Sequence, residues 1–120
     1  DQIVVSTGAK QSIANVCMSL INKGDEVLIP TPYWVSYSAM VALAEGVPVF
    51  INPDEDSNYK ITAQQLESAI TDKTKMLMLN SPNNPSGSMY SENELRAIGD
   101  VLKNYPNISP PQNFFDLIIL

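Results

Sequence analysis

Three short loops hold the residues whose types and spacing could do chemistry: Thr7-Gly8-Ala9-Lys10, Thr31-Pro32-Tyr33-Trp34 and Ser81-Pro82-Asn83-Asn84-Pro85-Ser86-Gly87. The first sets small residues before a helix start. Free backbone N–H groups and the positive end of a helix dipole meet there, an arrangement that binds phosphate or another anion. The second carries the single tryptophan, Trp34, a flat surface on which an aromatic ring can stack. The third is dense in turn formers and presents Asn84, whose amide can donate to an oxyanion. Taken singly, each loop has a plainer use in capping, packing or turning the chain. Cys17 falls on an apolar helix face and reads as core, as Tyr33 and Tyr37 read as packing. Asp54-Glu55-Asp56 reads as a solvated loop, since three carboxylates alone do not make a calcium site.

The elements that must position these loops alternate along the chain. Gln2–Ser6 is a short β-branched run, and Ala9, Ile13, Val16, Cys17, Leu20 and Ile21 have the spacing of one helical face. Lys23-Gly24 is expected to close that helix. Strands are expected at Glu26–Pro30, Val47–Asn52 and Lys75–Asn80, and a helix over Tyr33–Ala44. Thr62-Ala63-Gln64-Gln65 and Ser91-Glu92-Asn93-Glu94 both match the capping box that opens a helix. The first of these helices runs to about Ile70; the second buries Leu95, Ile98, Val101 and Leu102 and stops at Pro106. Strand–helix alternation predicts an α/β fold with a mostly parallel sheet flanked by helices. Each of the three loops then follows a strand, so all three could meet at the carboxyl edge of one sheet.

Composition narrows the chemistry further. Thirteen acidic residues against seven basic ones give a net charge of -6, which argues against nucleic acid as a partner. With one cysteine and no histidine, neither a disulfide framework nor a Cys/His zinc site can form within these residues, and no Ser-His-Asp or Cys-His site can be built. No metal site is expected. Nothing approaches the roughly 18 unbroken apolar residues of a membrane helix. The start, Asp1-Gln2-Ile3-Val4-Val5-Ser6, lacks a signal peptide's basic and long apolar segments, which points to a cytoplasmic protein.

The SPNNPSG loop, with TPYWVSY upstream and TGAKQ earlier still, resembles the class I aminotransferases of the fold-type-I pyridoxal-phosphate enzymes, in particular their bacterial aspartate or aspartate/prephenate branch. The resemblance covers residues 1 to about 107. It implies a partial cofactor-binding large domain over 1–107, with 108–120 a divergent tail. It also implies pyridoxal 5'-phosphate as cofactor, amino-acid and 2-oxo-acid substrates, and a homodimeric parent enzyme. By position, Gly8, Ala9 and Lys10 would hold the cofactor phosphate chiefly through backbone N–H groups. Trp34 would stack on the pyridine ring, and Asn84 would donate to the phenolic oxygen near the substrate carboxylate.

The tail departs from that pattern. The family places an aspartate on a strand after the Glu92–Tyr105 helix, followed three residues later by tyrosine. Here Asp116 is the one candidate, Ile119 stands where tyrosine should be, and Pro110-Pro111 interrupt the strand. The family's Schiff-base lysine and carboxylate-binding arginines lie beyond residue 120, and neither Lys10 nor Lys23 has the lysine's context. The 120-residue chain alone is therefore expected to show no transamination. Two other readings stay open: a different fold-type-I enzyme, such as a carbon–sulfur lyase or synthase, or a non-catalytic remnant of an aminotransferase.

Overall fold

The computed structural model of the chain describes residues 5–108. The helices are α1 (Ala9–Leu20), α2 (Ser36–Leu43), α3 (Ala63–Ala69) and α4 (Glu92–Lys103). They alternate with the strands β1 (Glu26–Pro30), β2 (Val47–Ile51) and β3 (Thr74–Leu77). The strands form one parallel sheet in the order β2-β1-β3. The strand expected at Gln2–Ser6 falls mostly outside the described residues, as do Asp116 and the rest of the tail beyond Ile108.

β1 shows why this sheet is a middle layer. Its residues Val27, Leu28 and Ile29 are fully buried, and their side chains alternate between two separate cores. Val27 and Ile29 join Ile13, Cys17, Tyr37, Met40 and Val41 from α1 and α2 on one face. Leu28 points the other way, into a cluster with Leu66, Leu77, Ile98 and Leu102 beneath α3 and α4. Met76 and Leu77 of β3 divide in the same way. A strand covered on both faces reads as an unbroken apolar run, as EVLIP does, because its period of two is buried on each side. Helices α1 and α2 pack together on the first face and α3 and α4 on the second.

Both capping boxes form. Thr62 accepts from the Gln65 N–H and Gln65 accepts in return from Thr62; Ser91 and Glu94 repeat the exchange at α4. Element ends differ from the sequence expectation, most at α1, α2 and β3. α1 stops at Leu20 because Ile21 turns extended and is drawn into the first core. Gly24 does adopt a left-handed φ of 88°, but in the turn into β1, where its N–H donates to the Glu45 carbonyl. α2 begins at Ser36 instead of Tyr33, since the Tyr33 ring leaves the helix path to stack on Phe50 at 5.1 Å. The strand expected at Lys75–Asn80 is Thr74–Leu77, with an irregularity opposite Glu26 and Val27; the Met78 N–H still donates to the Leu28 carbonyl.

Glu94 also reaches out of its cap. Its Oε1 accepts from Lys60 Nζ at 2.6 Å, tying α4 to the segment that enters α3. Hydrogen bonds from Lys60 and from Ser91 lower the Glu94 carboxyl to about 2. A depressed carboxylate stabilises the fold above its ordinary value and loses that contribution as pH falls through the folded value. Glu94 is therefore expected to support stability down to about pH 4.5 and progressively less toward pH 2. The side chain is 41% exposed, so solvent screening keeps the effect small. Urea unfolding midpoints measured at pH 6 and pH 3 should drop between the two, and by less in Glu94→Gln. Equal drops in the two proteins would contradict the assignment.

Among the described residues, no helix is long and apolar enough to cross a membrane.

Candidate functional site

The topology makes a crevice at one place. From β1 the chain turns into α2 on the first face; from β3, its immediate neighbour, it turns toward α4 on the second. Adjacent parallel strands whose connections diverge to opposite faces leave a gap beyond their carboxyl ends, where ligands of open α/β sheets sit. The two loops bordering this gap are those that carry Trp34 and Asn84.

Trp34 is half-buried and packs on the first core, with the buried Tyr37 edge-on at 5.6 Å. Its loop is held from β2: Thr31 N–H donates to the Ile51 carbonyl and Thr31 Oγ1 to Asn52 Oδ1 at 2.8 Å, beside the Tyr33–Phe50 stack. Lys10 Nζ lies 5.0 Å from the centroid of the Trp34 ring, within cation–π range. The Lys10 side chain, from the start of α1, thus reaches the Trp34 loop.

That helix start differs from those of α3 and α4. No side chain caps α1, no acidic residue occupies its first turn, and the Ala9 and Lys10 N–H groups have no partner among the described residues. Its N-cap, Gly8, has φ 80° and ψ 164°, a conformation reserved essentially for glycine. The chain twice uses a reciprocal capping box elsewhere, yet here, as at α2, no side chain caps the helix, and two N–H groups stand beside a lysine. Such a donor set suits a bound anion.

The third loop is organised by Asn83, which the sequence reading did not single out. Asn83 Oδ1 accepts from the Ser86 N–H and from Ser86 Oγ, and its Nδ2 donates to Asn80 Oδ1. Its backbone closes the turn with Ser88 and Gly87. Asn84, by contrast, is exposed, and its side chain makes no hydrogen bond among the described residues, so its amide is free for a ligand. Of Gly8, Ala9 and Lys10, it is Lys10 whose ammonium reaches the Trp34 ring. Asn84 stands on the loop leaving the neighbouring strand at the same sheet edge. A groove of about 480 Å³ between β2 and α3, lined by Phe50, Asn52 and Gln64 among others, contains none of these residues.

Comparison with known proteins decides the family. The sequence model of the family described as aminotransferase class I and II matches residues 1–110. The chain belongs to that family. A probable aspartate/prephenate aminotransferase of Rickettsia typhi is 53% identical over 109 residues, and the aspartate/prephenate aminotransferase of Nitrosomonas europaea is 54% identical over 107. These alignments take in 91% and 89% of the chain but 27% of each relative, so this aminotransferase-family chain spans about a quarter of their length. The crystal structure of the aspartate aminotransferase from Rhizobium meliloti superposes with a TM-score of 0.83 at 48% identity. It covers 86% of this chain and 26% of that one. The three-layer α/β arrangement is accordingly that of the fold-type-I aminotransferases.

Proposed function

We propose that residues 1–107 are part of the cofactor-binding large domain of a pyridoxal-phosphate-dependent aminotransferase. The parent enzyme moves an amino group between an amino acid, aspartate foremost, and a 2-oxo acid. The observation that carries this reading is the uncapped, glycine-led start of α1 beside the Trp34 ring, at the edge of the sheet where β1 and β3 part. An anion-binding end next to an aromatic face fits a ligand that is itself a phosphate joined to an aromatic ring. The names of the relatives support aspartate as substrate, and resemblance to class I aminotransferases supports a homodimeric parent.

In this reading the Gly8, Ala9 and Lys10 backbone receives the phosphate, with the Lys10 ammonium adding positive charge nearby. Trp34 covers one face of the ring and keeps water from it. Asn84 donates to the ring's phenolic oxygen and borders the substrate carboxylate. When bound, pyridoxal phosphate supplies the electron sink of the transfer; the protein supplies position and electrostatics.

Asn84 gives the test. Titration of the chain with pyridoxal 5'-phosphate, followed by Trp34 fluorescence, reports binding from the only tryptophan. A hydrogen bond to a charged group is worth roughly 1.5–3 kcal/mol, so Asn84→Ala is expected to weaken binding roughly ten- to a hundredfold. Its unfolding midpoint should not move, because the Asn84 side chain is exposed. Unchanged affinity in a folded Asn84→Ala protein contradicts the ring-contact role and leaves Asn84 as a turn residue.

A further inference from the structure

The Asn84 loop is braced within itself by the bonds around Asn83, but those bonds do not say where it stands relative to the sheet. Its exit does. Tyr90 is 7% exposed, and its backbone N–H donates to Ser81 Oγ at 3.0 Å, drawing the two ends of the loop together. The Tyr90 hydroxyl accepts from the buried Ile61 N–H at 2.9 Å, across 29 residues of sequence. Lys60 Nζ lies 5.9 Å from the Tyr90 ring centroid. Glu94 holds that ammonium at 2.6 Å and, with its other oxygen, accepts from the Ser91 N–H and hydroxyl. Burial pushes the Tyr90 phenol up from its ordinary value. Met89, between loop and anchor, is 64% exposed.

We propose that Tyr90 is the positioning residue of the Asn84 loop, fastening its neck to the segment that enters α3, with Lys60 and Glu94 clamping the Tyr90 ring. The consequence for ligand binding rests on the cofactor reading above; the anchoring itself does not. Without the anchor the loop should swing as a unit about Met89, keeping the bonds around Asn83 while Asn84 leaves its place.

Tyr90→Phe keeps the ring and removes the acceptor. Amide hydrogen exchange on the full chain should rise roughly tenfold or more at Ile61 and at residue 90. Exchange at Asn83 and Gly87, whose bonds lie inside the loop, should change far less. Glu94→Gln, on the solvent side of the clamp, should act in the same direction more weakly and without disturbing the core. Binding of pyridoxal 5'-phosphate, read by Trp34 fluorescence, should weaken severalfold in Tyr90→Phe although Tyr90 is not among the ligand's contacts. The proposal is overturned if exchange at residue 90 does not change, or if it rises equally at Leu28 in the central strand, which would mark general destabilisation. Superimposable binding curves for the two proteins would also overturn it. A wild-type chain whose tryptophan signal ignores pyridoxal 5'-phosphate counts against the cofactor reading alone, and the exchange data, which need no ligand, then decide the anchor.

Discussion

Gly8→Val is expected to abolish binding of pyridoxal 5'-phosphate and to lower the melting temperature of the chain. Gly8 sits at φ 80° and ψ 164°, where residues with a Cβ are strained by about 1–3 kcal/mol, β-branched ones most. Among the described residues the space around it is open: an added Cβ meets none of their atoms within 4 Å. The cost therefore comes from backbone conformation and not from collision. Gly46 makes the contrast, because a Cβ there would lie 2.6 Å from Ile21 Cγ2 and 3.2 Å from the Asp25 carbonyl oxygen. At about 4–8 °C per kcal/mol for a small domain, Gly8→Val should melt lower by roughly 4–24 °C. To relieve the strain the loop must rotate its N–H groups away from the start of α1, so the phosphate subsite goes with it. Thermal melts and ligand titrations on one preparation check both halves. A variant that melts and binds like the wild type would remove the glycine-specific geometry from the account.

Leu28→Ala is expected to cost about 2–5 kcal/mol, the range for truncating a fully enclosed leucine. Leu28 has no exposed surface and lies on the central strand, facing Leu66, Leu77 and Ile98. β1 carries the Trp34 loop and pairs with the strand that carries the Asn84 loop, so loosening it should separate the two sides of the crevice. Urea unfolding measures the loss. Met18→Ala, at a side chain 59% exposed on α1, is the control and should stay within about 0.5 kcal/mol. A loss of less than 1 kcal/mol for Leu28→Ala would mean that α3 and α4 do not seal the second face as described.

How much of this was legible in the sequence depends on how local the signal was. Both capping boxes could be read directly because a cap is a contract between residues three apart, and Thr62/Gln65 and Ser91/Glu94 kept it. EVLIP was legible as a strand and KMLMLN as a buried one, because short apolar runs suit strands covered on both faces. Helix ends were less so. Tyr33 belongs by pattern to α2, but it stacks on Phe50, seventeen residues later on another strand, and no local rule contains that contact. Ile21 left α1 for a similar reason, claimed by a core that forms only in three dimensions.

The site was legible as three loops; the order β2-β1-β3 puts the Trp34 and Asn84 loops at one sheet edge, while the strand expected before Gly8 falls mostly outside the described residues. The Lys10–Trp34 contact was not foreseeable, since the two residues approach only after α1 and α2 pack. Asn83 and Asn84 show the limit most clearly. They are neighbours of identical type, and nothing in the sequence says which amide turns inward to hold the loop and which turns out. The resemblance to a family singled out Asn84 for the ligand; the hydrogen bonds show Asn83 as the one spent on structure. Tyr90 was missed because its partner Ile61 is remote and neither residue belongs to a recognisable motif.

The central claim is that Gly8, Trp34 and Asn84 border a single site. It is tested most directly by following the pyridoxal 5'-phosphate titration residue by residue, in ¹⁵N–¹H correlation spectra of the labelled chain. The account predicts that the backbone amides of Gly8 to Gln11, the Trp34 indole N–H and the Asn84 side-chain amide shift together along one binding curve. Shifts confined to the groove between β2 and α3, around Phe50 and Gln64, or separate curves for Trp34 and Asn84, would contradict it.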